Sequence, residues 1–129
     1  MTALSILVVD DDYVAQKNYR RLLPAQKLYA AECGDVGLRA LATCQFDCVL
    51  LDFLLPDMSG IEFLRQRIAR ELVNCALVMV TGHDSAQIAR RAIQVGVQDF
   101  LLKDELSAIT LYPTIMTAIA SYHVGHQFP

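Results

Sequence analysis

The stretch CVLLDFLLPDMSG, residues 48–60, places a carboxylate directly after a short and wholly apolar segment. Cys48–Leu51 is continuously apolar instead of alternating, which is typical of a strand covered on both faces. Asp52 stands where this strand ends, and Ser59–Gly60 precede a segment with helical spacing. The stretch therefore predicts a buried parallel strand that presents one acid at its carboxyl end.

The same pattern recurs in both directions along the chain. Further apolar runs lie at 6–9, 77–80 and 100–102, with a weaker one at 28–31. Helical spacing lies between them at 14–23, 36–41, 61–68 and 88–95, and a fifth helix is expected from about Pro113 to Tyr122. This alternation predicts an α/β fold, a doubly wound five-stranded parallel sheet with five helices and right-handed crossovers. The 129 residues fit one domain, 1–129, with its core at about 4–122.

Composition narrows the class of protein. An apolar fraction of 54% indicates a folded chain, and a net charge of −3 gives no electrostatic case for nucleic acid. No run approaches the roughly 20 apolar residues of a membrane span, and the N-terminus lacks a basic leader, so a cytoplasmic protein without membrane contact is expected. The cysteines show no CxxC spacing, which favours buried, reduced thiols over disulfides or metal ligation; they are Cys33, Cys44, Cys48 and Cys75.

The carboxyl ends of the strands carry the polar residues. In open parallel sheets the functional crevice lies at this edge, where the strand order switches. The residues found there are Asp10, Asp11 and Asp12 after the first strand, Asp52, Thr81 with Gly82, and Lys103. Two carboxylates about 4 Å apart repel by about 1 kcal/mol in water and about 4 kcal/mol at an effective dielectric constant near 20. Convergence of these acids therefore indicates a bound cation or a cationic side chain directed at them; the hard cation that carboxylate oxygens suit is Mg²⁺, with Mn²⁺ as a substitute, and Lys103 offers the side chain.

The same residues suit phosphoryl transfer to an aspartate. One of the carboxylates can attack in line as the acceptor, while a cation, a lysine and a hydroxyl neutralise the three equatorial phosphoryl oxygens. Gly82 leaves room for the incoming group. Asp12 has a structural interpretation instead, as the cap of the first helix.

Four stretches carry a resemblance to the receiver domains of two-component response regulators, the CheY-like superfamily. They are ILVVDD at 6–11, DFLLPDMSG at 52–60, VTG at 80–82 and DFLLK at 99–103, and the resemblance spans about residues 4–122. It implies a flavodoxin-like fold with Asp52 as the phosphoacceptor. It also implies a metal site formed by Asp10, Asp11, Asp52 and the backbone carbonyl of Leu54.

The resemblance further implies how such a domain would switch. Thr81 would be the switch hydroxyl, with Gly82 beside it, and Lys103 would bind a phosphoryl oxygen. Phe100 would be the switch aromatic, with an ordinary core aromatic as the alternative. A sensor histidine kinase or a histidine phosphotransfer protein would supply the phosphoryl group. An output partner would read the face built from the fourth helix, the fifth strand and the fifth helix.

The sequence departs from the family pattern near the site. Asp104 stands where the family usually has proline, so a cis peptide bond is not expected, and Asp104 offers Lys103 a further carboxylate. Leu54 and His83 occupy the positions that tune dephosphorylation in the family. Because apolar Leu54 cannot position an attacking water, slow hydrolysis of the acyl phosphate is expected.

The fifth helix carries almost no charge, which favours a partner or homodimer surface on it. On this interpretation the chain is a phosphoacceptor and not an enzyme with a separate substrate. One alternative is a receiver-fold binding module that works without phosphorylation. A more remote one is a phosphatase like the haloacid dehalogenases, because Asp10-x-Asp12-x-Val14 resembles their nucleophile motif; that family needs a later acidic pair, for which the chain offers Asp104 and Glu105.

Overall fold

A computed structural model describes residues 2–82 and 86–127, in which strands and helices alternate. The elements are β1 (Ser5–Val9), α1 (Tyr13–Leu22), β2 (Lys27–Ala31), α2 (Gly34–Thr43), β3 (Cys48–Leu51), α3 (Gly60–Ala69), β4 (Ala76–Thr81), α4 (Ala86–Gln94), β5 (Asp99–Leu102), a short 3-10 helix (Lys103–Glu105) and α5 (Leu111–Gln127). All strand pairs are parallel, and the strand order is β2-β1-β3-β4-β5. The predicted doubly wound α/β architecture is confirmed.

Both faces of the sheet are covered, which explains the continuously apolar strands. In β1, Ile6 and Val8 pack in one core layer with residues of α1 and α5. Leu7 and Val9 pack in the opposite layer with residues of α2 and α3. Every residue of β3 and β4 is buried for the same reason.

The fifth helix and the cysteines differ from expectation. α5 runs beyond both predicted ends: it begins at Leu111, two residues before Pro113, and continues through Gly125, a common helix stop, to Gln127. Cys48 and Cys75 are buried, whereas Cys33 is half-buried and Cys44 is exposed, so burial of all four was wrong. Cys44 follows the last turn of α2 and therefore lies outside the core.

No helix of residues 2–82 and 86–127 has the length and apolarity to cross a membrane.

The position of β1 fixes the site. β1 pairs with β2 on one side and with β3 on the other, so the strand order reverses between β1 and β3. Val9 is in register with Leu51, which places the residues after these two strands side by side. The crevice predicted for such a sheet therefore opens between Asp10 and Asp52.

Candidate functional site

Three acids meet at the carboxyl ends of β1 and β3. One carboxylate oxygen from each of Asp10, Asp11 and Asp52 lies within 4.8 Å of the others. Asp10 is 1% exposed and Asp52 is 8% exposed, whereas Asp11 is open to solvent. The strand-end pattern therefore predicted correctly that these acids converge.

Asp10 is held tightly and leaves one oxygen without a hydrogen-bond donor. Its Oδ1 accepts from the backbone N–H of Asp12 at 2.9 Å, and Gln16 Nε2 donates to its backbone carbonyl at 2.6 Å. Burial raises the pKa of Asp10, because desolvation opposes the charged form more than its hydrogen bonds favour it. Asp10 Oδ2 is buried and accepts no hydrogen bond from the part of the chain that the structure describes.

Lys103 supplies the positive charge of the site. Its Nζ lies 2.9 Å from Asp10 Oδ2, without hydrogen-bond geometry, and 3.8 Å from Asp12 Oδ2. It donates a hydrogen bond to Asp52 Oδ2 at 3.3 Å. Burial opposes the charge of this ammonium, but pairing with Asp10 and Asp52 outweighs burial and raises the pKa of Lys103. The lysine therefore stays protonated and offsets only part of the negative charge.

Asp12, Asp104 and Glu105, which are the neighbours in sequence of the clustered groups, lie outside the acid cluster. Asp12 caps α1, because its Oδ1 accepts from the backbone N–H of Val14 at 2.9 Å, as predicted. Asp104 is exposed and forms no ion pair with Lys103, so that expected pairing was wrong. The 3-10 helix begins at Lys103, and the described residues contain no cis peptide bond. Asp104 and Glu105 also lie outside the acid cluster, which removes the later acids that the phosphatase alternative needs.

A compact turn follows Asp52; we call residues 53–59 the acceptor loop. An isolated antiparallel bridge joins Leu54 to Ser59, and the backbone N–H of Leu55 donates to the Met58 carbonyl at 3.2 Å. Ser59 caps α3, since its Oγ accepts from the Glu62 N–H at 3.1 Å. The Leu54 side chain is 53% exposed, and the loop therefore presents an apolar surface beside the acceptor.

The remaining predicted residues lie on β4, on β5 and after them. Thr81 is fully buried at the end of β4, in register with Leu102, the residue before Lys103. Gly82 is exposed, and a Cβ built on it meets no atom within 4 Å. Phe100 is half-buried against the core layer of α2 and α3. His83 lies outside the described residues.

Two residues near the site make contacts that the sequence did not predict. Gln16 supports the Asp10 backbone from the first turns of α1. Asp57, in the acceptor loop, accepts hydrogen bonds from the first two backbone N–H groups of α2. Neither contact follows from spacing, because each depends on the packing of separate segments.

The donor set fits a hard divalent cation. All its ligand atoms are carboxylate oxygens, and one ammonium offsets only part of the charge of three acids. Asp10 Oδ2 is buried and is paired with the Lys103 ammonium at 2.9 Å without hydrogen-bond geometry, so this oxygen keeps a lone pair that a divalent cation could take. These residues form an acidic pocket that can hold a metal ion.

A five-stranded doubly wound sheet with an acidic pocket at its switch point defines a receiver-type domain. The chain belongs to the response regulator receiver domain family, whose model matches residues 6–112. This assignment confirms the resemblance drawn from the sequence.

Relatives of known sequence and structure agree with the assignment. The chain is 30% identical over 118 residues to the transcriptional regulatory protein YdfI of Bacillus subtilis, covering 88% of this chain and 54% of YdfI. It is 26% identical over 129 residues to the response regulator UvrY of Escherichia coli, covering 97% of this chain and 56% of UvrY. The chain thus spans about half the length of these relatives. In fold it resembles the CheY-like receiver domain protein of Methanospirillum hungatei, with a TM-score of 0.82, 24% identity, and coverage of 96% of this chain and 99% of that one.

Proposed function

We propose that this chain is a phosphoacceptor switch of two-component signalling, in which Asp52 accepts a phosphoryl group. The phosphodonor would be a sensor histidine kinase or a histidine phosphotransfer protein. The observation that carries the proposal is the placement of Asp52, nearly buried at the switch point, beside Asp10 and Asp11 and hydrogen-bonded to Lys103. Because the phosphoryl group of such kinases comes from ATP, the proposal includes a cytoplasmic location.

The chemistry assigned to the site is in-line phosphoryl transfer. An Asp52 oxygen attacks the phosphorus, the phosphorus–nitrogen bond of the phosphohistidine breaks, and the imidazole leaves with the bonding pair. Mg²⁺, when held by Asp10, Asp11, Asp52 and the Leu54 carbonyl, supplies charge neutralisation. Lys103 is already hydrogen-bonded to the nucleophile, and its ammonium would stabilise a phosphoryl oxygen bound there.

Switching follows as a shift between two conformations. The phosphoryl group favours the conformation in which Thr81 and Lys103 bind its oxygens and Phe100 turns inward behind Thr81. The half-buried position of Phe100 supports this role, since the ring packs against the core without being fully enclosed by it. The face formed by α4, β5 and α5 would then change for an output partner.

α5 offers a surface for a homodimer or an output partner. Three large apolar side chains on this helix remain at least one third exposed; they are Tyr112, Met116 and Val124. A helix that is apolar beyond its core-facing side supports an interface. A second copy of the chain or an output partner would recognise the phosphorylated state through this surface of α5.

The test is intact-mass analysis after incubation with acetyl phosphate and Mg²⁺. We expect one phosphoryl adduct on the wild-type chain and none on Asp52→Asn, because the amide is not a nucleophile for this reaction. A chelator should also prevent the adduct. If Mg²⁺ binds and no adduct forms, the phosphorylation-independent binding module becomes the better function for the chain.

Leu54 is expected to make the acyl phosphate long-lived. The exposed isobutyl group cannot hydrogen-bond a water for attack on the phosphorus, whereas an amide at this position can. Leu54→Asn should therefore shorten the lifetime of phospho-Asp52 by about tenfold, less than the roughly 10²-fold or more of a true general base, because an amide orients the water without taking its proton. Loss of the adduct followed by mass against time measures this, and equal lifetimes in the two proteins would contradict it. His83 is proposed as the second residue that tunes this rate.

A further inference from the structure

The acceptor loop is fastened to the start of α2 by Asp57. Its Oδ1 accepts from the Gly34 backbone N–H at 2.8 Å, and its Oδ2 accepts from the Asp35 backbone N–H at 2.9 Å. Cys33, the residue at the N-cap position of α2, makes no capping hydrogen bond through its side chain. A carboxylate from another segment therefore caps this helix, and it comes from the loop that also contains Leu54.

Met58 makes a second attachment at the same place. A Cβ built on Gly34 would lie 2.5 Å from Met58 Sδ and 2.8 Å from Met58 Cε. Glycine at position 34 leaves the space in which the end of the Met58 side chain lies, and a larger residue there would displace that flexible end. The loop is also closed on itself between Leu54 and Ser59, so a shift at Asp57 would move the whole loop.

The bonds made by Asp57 are charge-assisted. Slight desolvation opposes ionisation, but the backbone donors of Asp35 and Gly34 outweigh it and hold the pKa of Asp57 below its usual value. The carboxylate is thus charged at neutral pH and faces the positive end of the α2 dipole. Such a bond is stronger than a neutral hydrogen bond and suits a positioning role.

We propose that Asp57 is a positioning residue for the cation site, which holds the acceptor loop against α2 so that the Leu54 carbonyl can complete the metal ligands. This inference rests on the proposed function, because it assumes that the acid cluster binds a divalent cation. Asp57 itself lies outside that cluster and would act only through the loop.

The experiment is Mn²⁺ binding measured by electron paramagnetic resonance, at a temperature where circular dichroism shows every variant folded. Asp57→Ala should raise the dissociation constant about tenfold, the lower end of the effect of removing an outer partner of a metal ligand. Asp57→Asn keeps one acceptor oxygen and should restore part of the affinity. Asp35→Ala is the matched control, since it removes an equal charge at the same helix end from a carboxylate that pairs with exposed Arg39.

The outcomes separate this inference from the function on which it rests. A wild-type chain that fails to bind Mn²⁺ would overturn the metal site itself. A wild type that binds, with Asp57→Ala less stable but unchanged in affinity, would show Asp57 to be only a helix cap and overturn the positioning role. Equal losses for Asp35→Ala and Asp57→Ala would reduce the effect to general electrostatics and overturn it as well. If Asp57→Ala does not fold, Asp57→Asn decides by the same measurement.

Discussion

Mg²⁺ at a hundred times its dissociation constant is expected to stabilise the folded chain by about 2.7 kcal/mol and to raise its unfolding temperature by roughly 10 °C. The physical reason is linkage. Asp10, Asp11 and Asp52 come within 4.8 Å of one another only in the folded chain, so the cation has no comparable site in the unfolded ensemble. Thermal unfolding followed by circular dichroism, with and without Mg²⁺, measures the shift.

Two controls separate site binding from charge screening. NaCl at equal ionic strength weakens repulsion among exposed charges but does not coordinate, so it should produce a much smaller shift. A variant with both Asp10→Asn and Asp11→Asn loses two ligands and should lose the Mg²⁺ effect. The same rise in unfolding temperature in that variant would contradict a metal site at this cluster.

Acidification should reduce the Mg²⁺ effect. Burial raises the pKa of Asp10, so protons compete with the cation for this carboxylate at a higher pH than for an exposed aspartate. In the metal-free chain, by contrast, the Asp10 contribution makes the free energy of unfolding rise as the pH falls. The unfavourable contribution of ionised Asp10 is fully present above its raised pKa and disappears as pH falls below the usual value. Unfolding curves at several pH values, each with and without Mg²⁺, would show both trends.

The architecture was predictable because a strand that is buried on both faces has a continuous run of apolar residues in the sequence. Cys48–Leu51 and the other apolar runs have no polar residue to satisfy, and polar residues gather where the strands end. Parallel pairing then brings Asp10 and Asp52 together without any knowledge of side-chain packing. Local chemistry also identified Asp12 as a cap, since that role depends only on the residues that follow it.

What escaped prediction depends on contacts between distant segments. Lys103 has Asp104 beside it in sequence but pairs with Asp10 and Asp52, because the side chain extends over the strand ends. Asp57 reaches α2 across a separation of 22 or 23 residues. Arg67 on α3 is 2% exposed and donates to the Cys75 carbonyl, whereas an arginine in an amphipathic helix usually faces solvent. In each case the partner is chosen by tertiary packing, on which spacing carries no information.

Gly60→Ala is expected to destabilise the chain by about 2 kcal/mol, although alanine usually stabilises a helix relative to glycine. Gly60 is the first residue of α3, and its backbone N–H donates to the Phe53 carbonyl. A Cβ there would lie 2.9 Å from the Asp52 carbonyl oxygen and 3.0 Å from Phe53 Cα. Both neighbours are backbone atoms, so relief requires α3 or the acceptor residue itself to move.

The sign of this change distinguishes close packing from helix propensity. Gly125→Ala in α5 is the matched control, since a Cβ there meets no atom within 4 Å and the substitution should be neutral or slightly stabilising. Urea unfolding measures the stability of both variants, provided that the free energy of unfolding depends on urea concentration with the same slope as in the wild type. Because displacement of Asp52 spoils in-line geometry, Gly60→Ala should also form the phosphoryl adduct at least about tenfold more slowly, while Gly125→Ala keeps the wild-type rate. A Gly60→Ala protein as stable and as reactive as wild type would mean that the acceptor strand and α3 are not held at the close distance on which the geometry of the site depends.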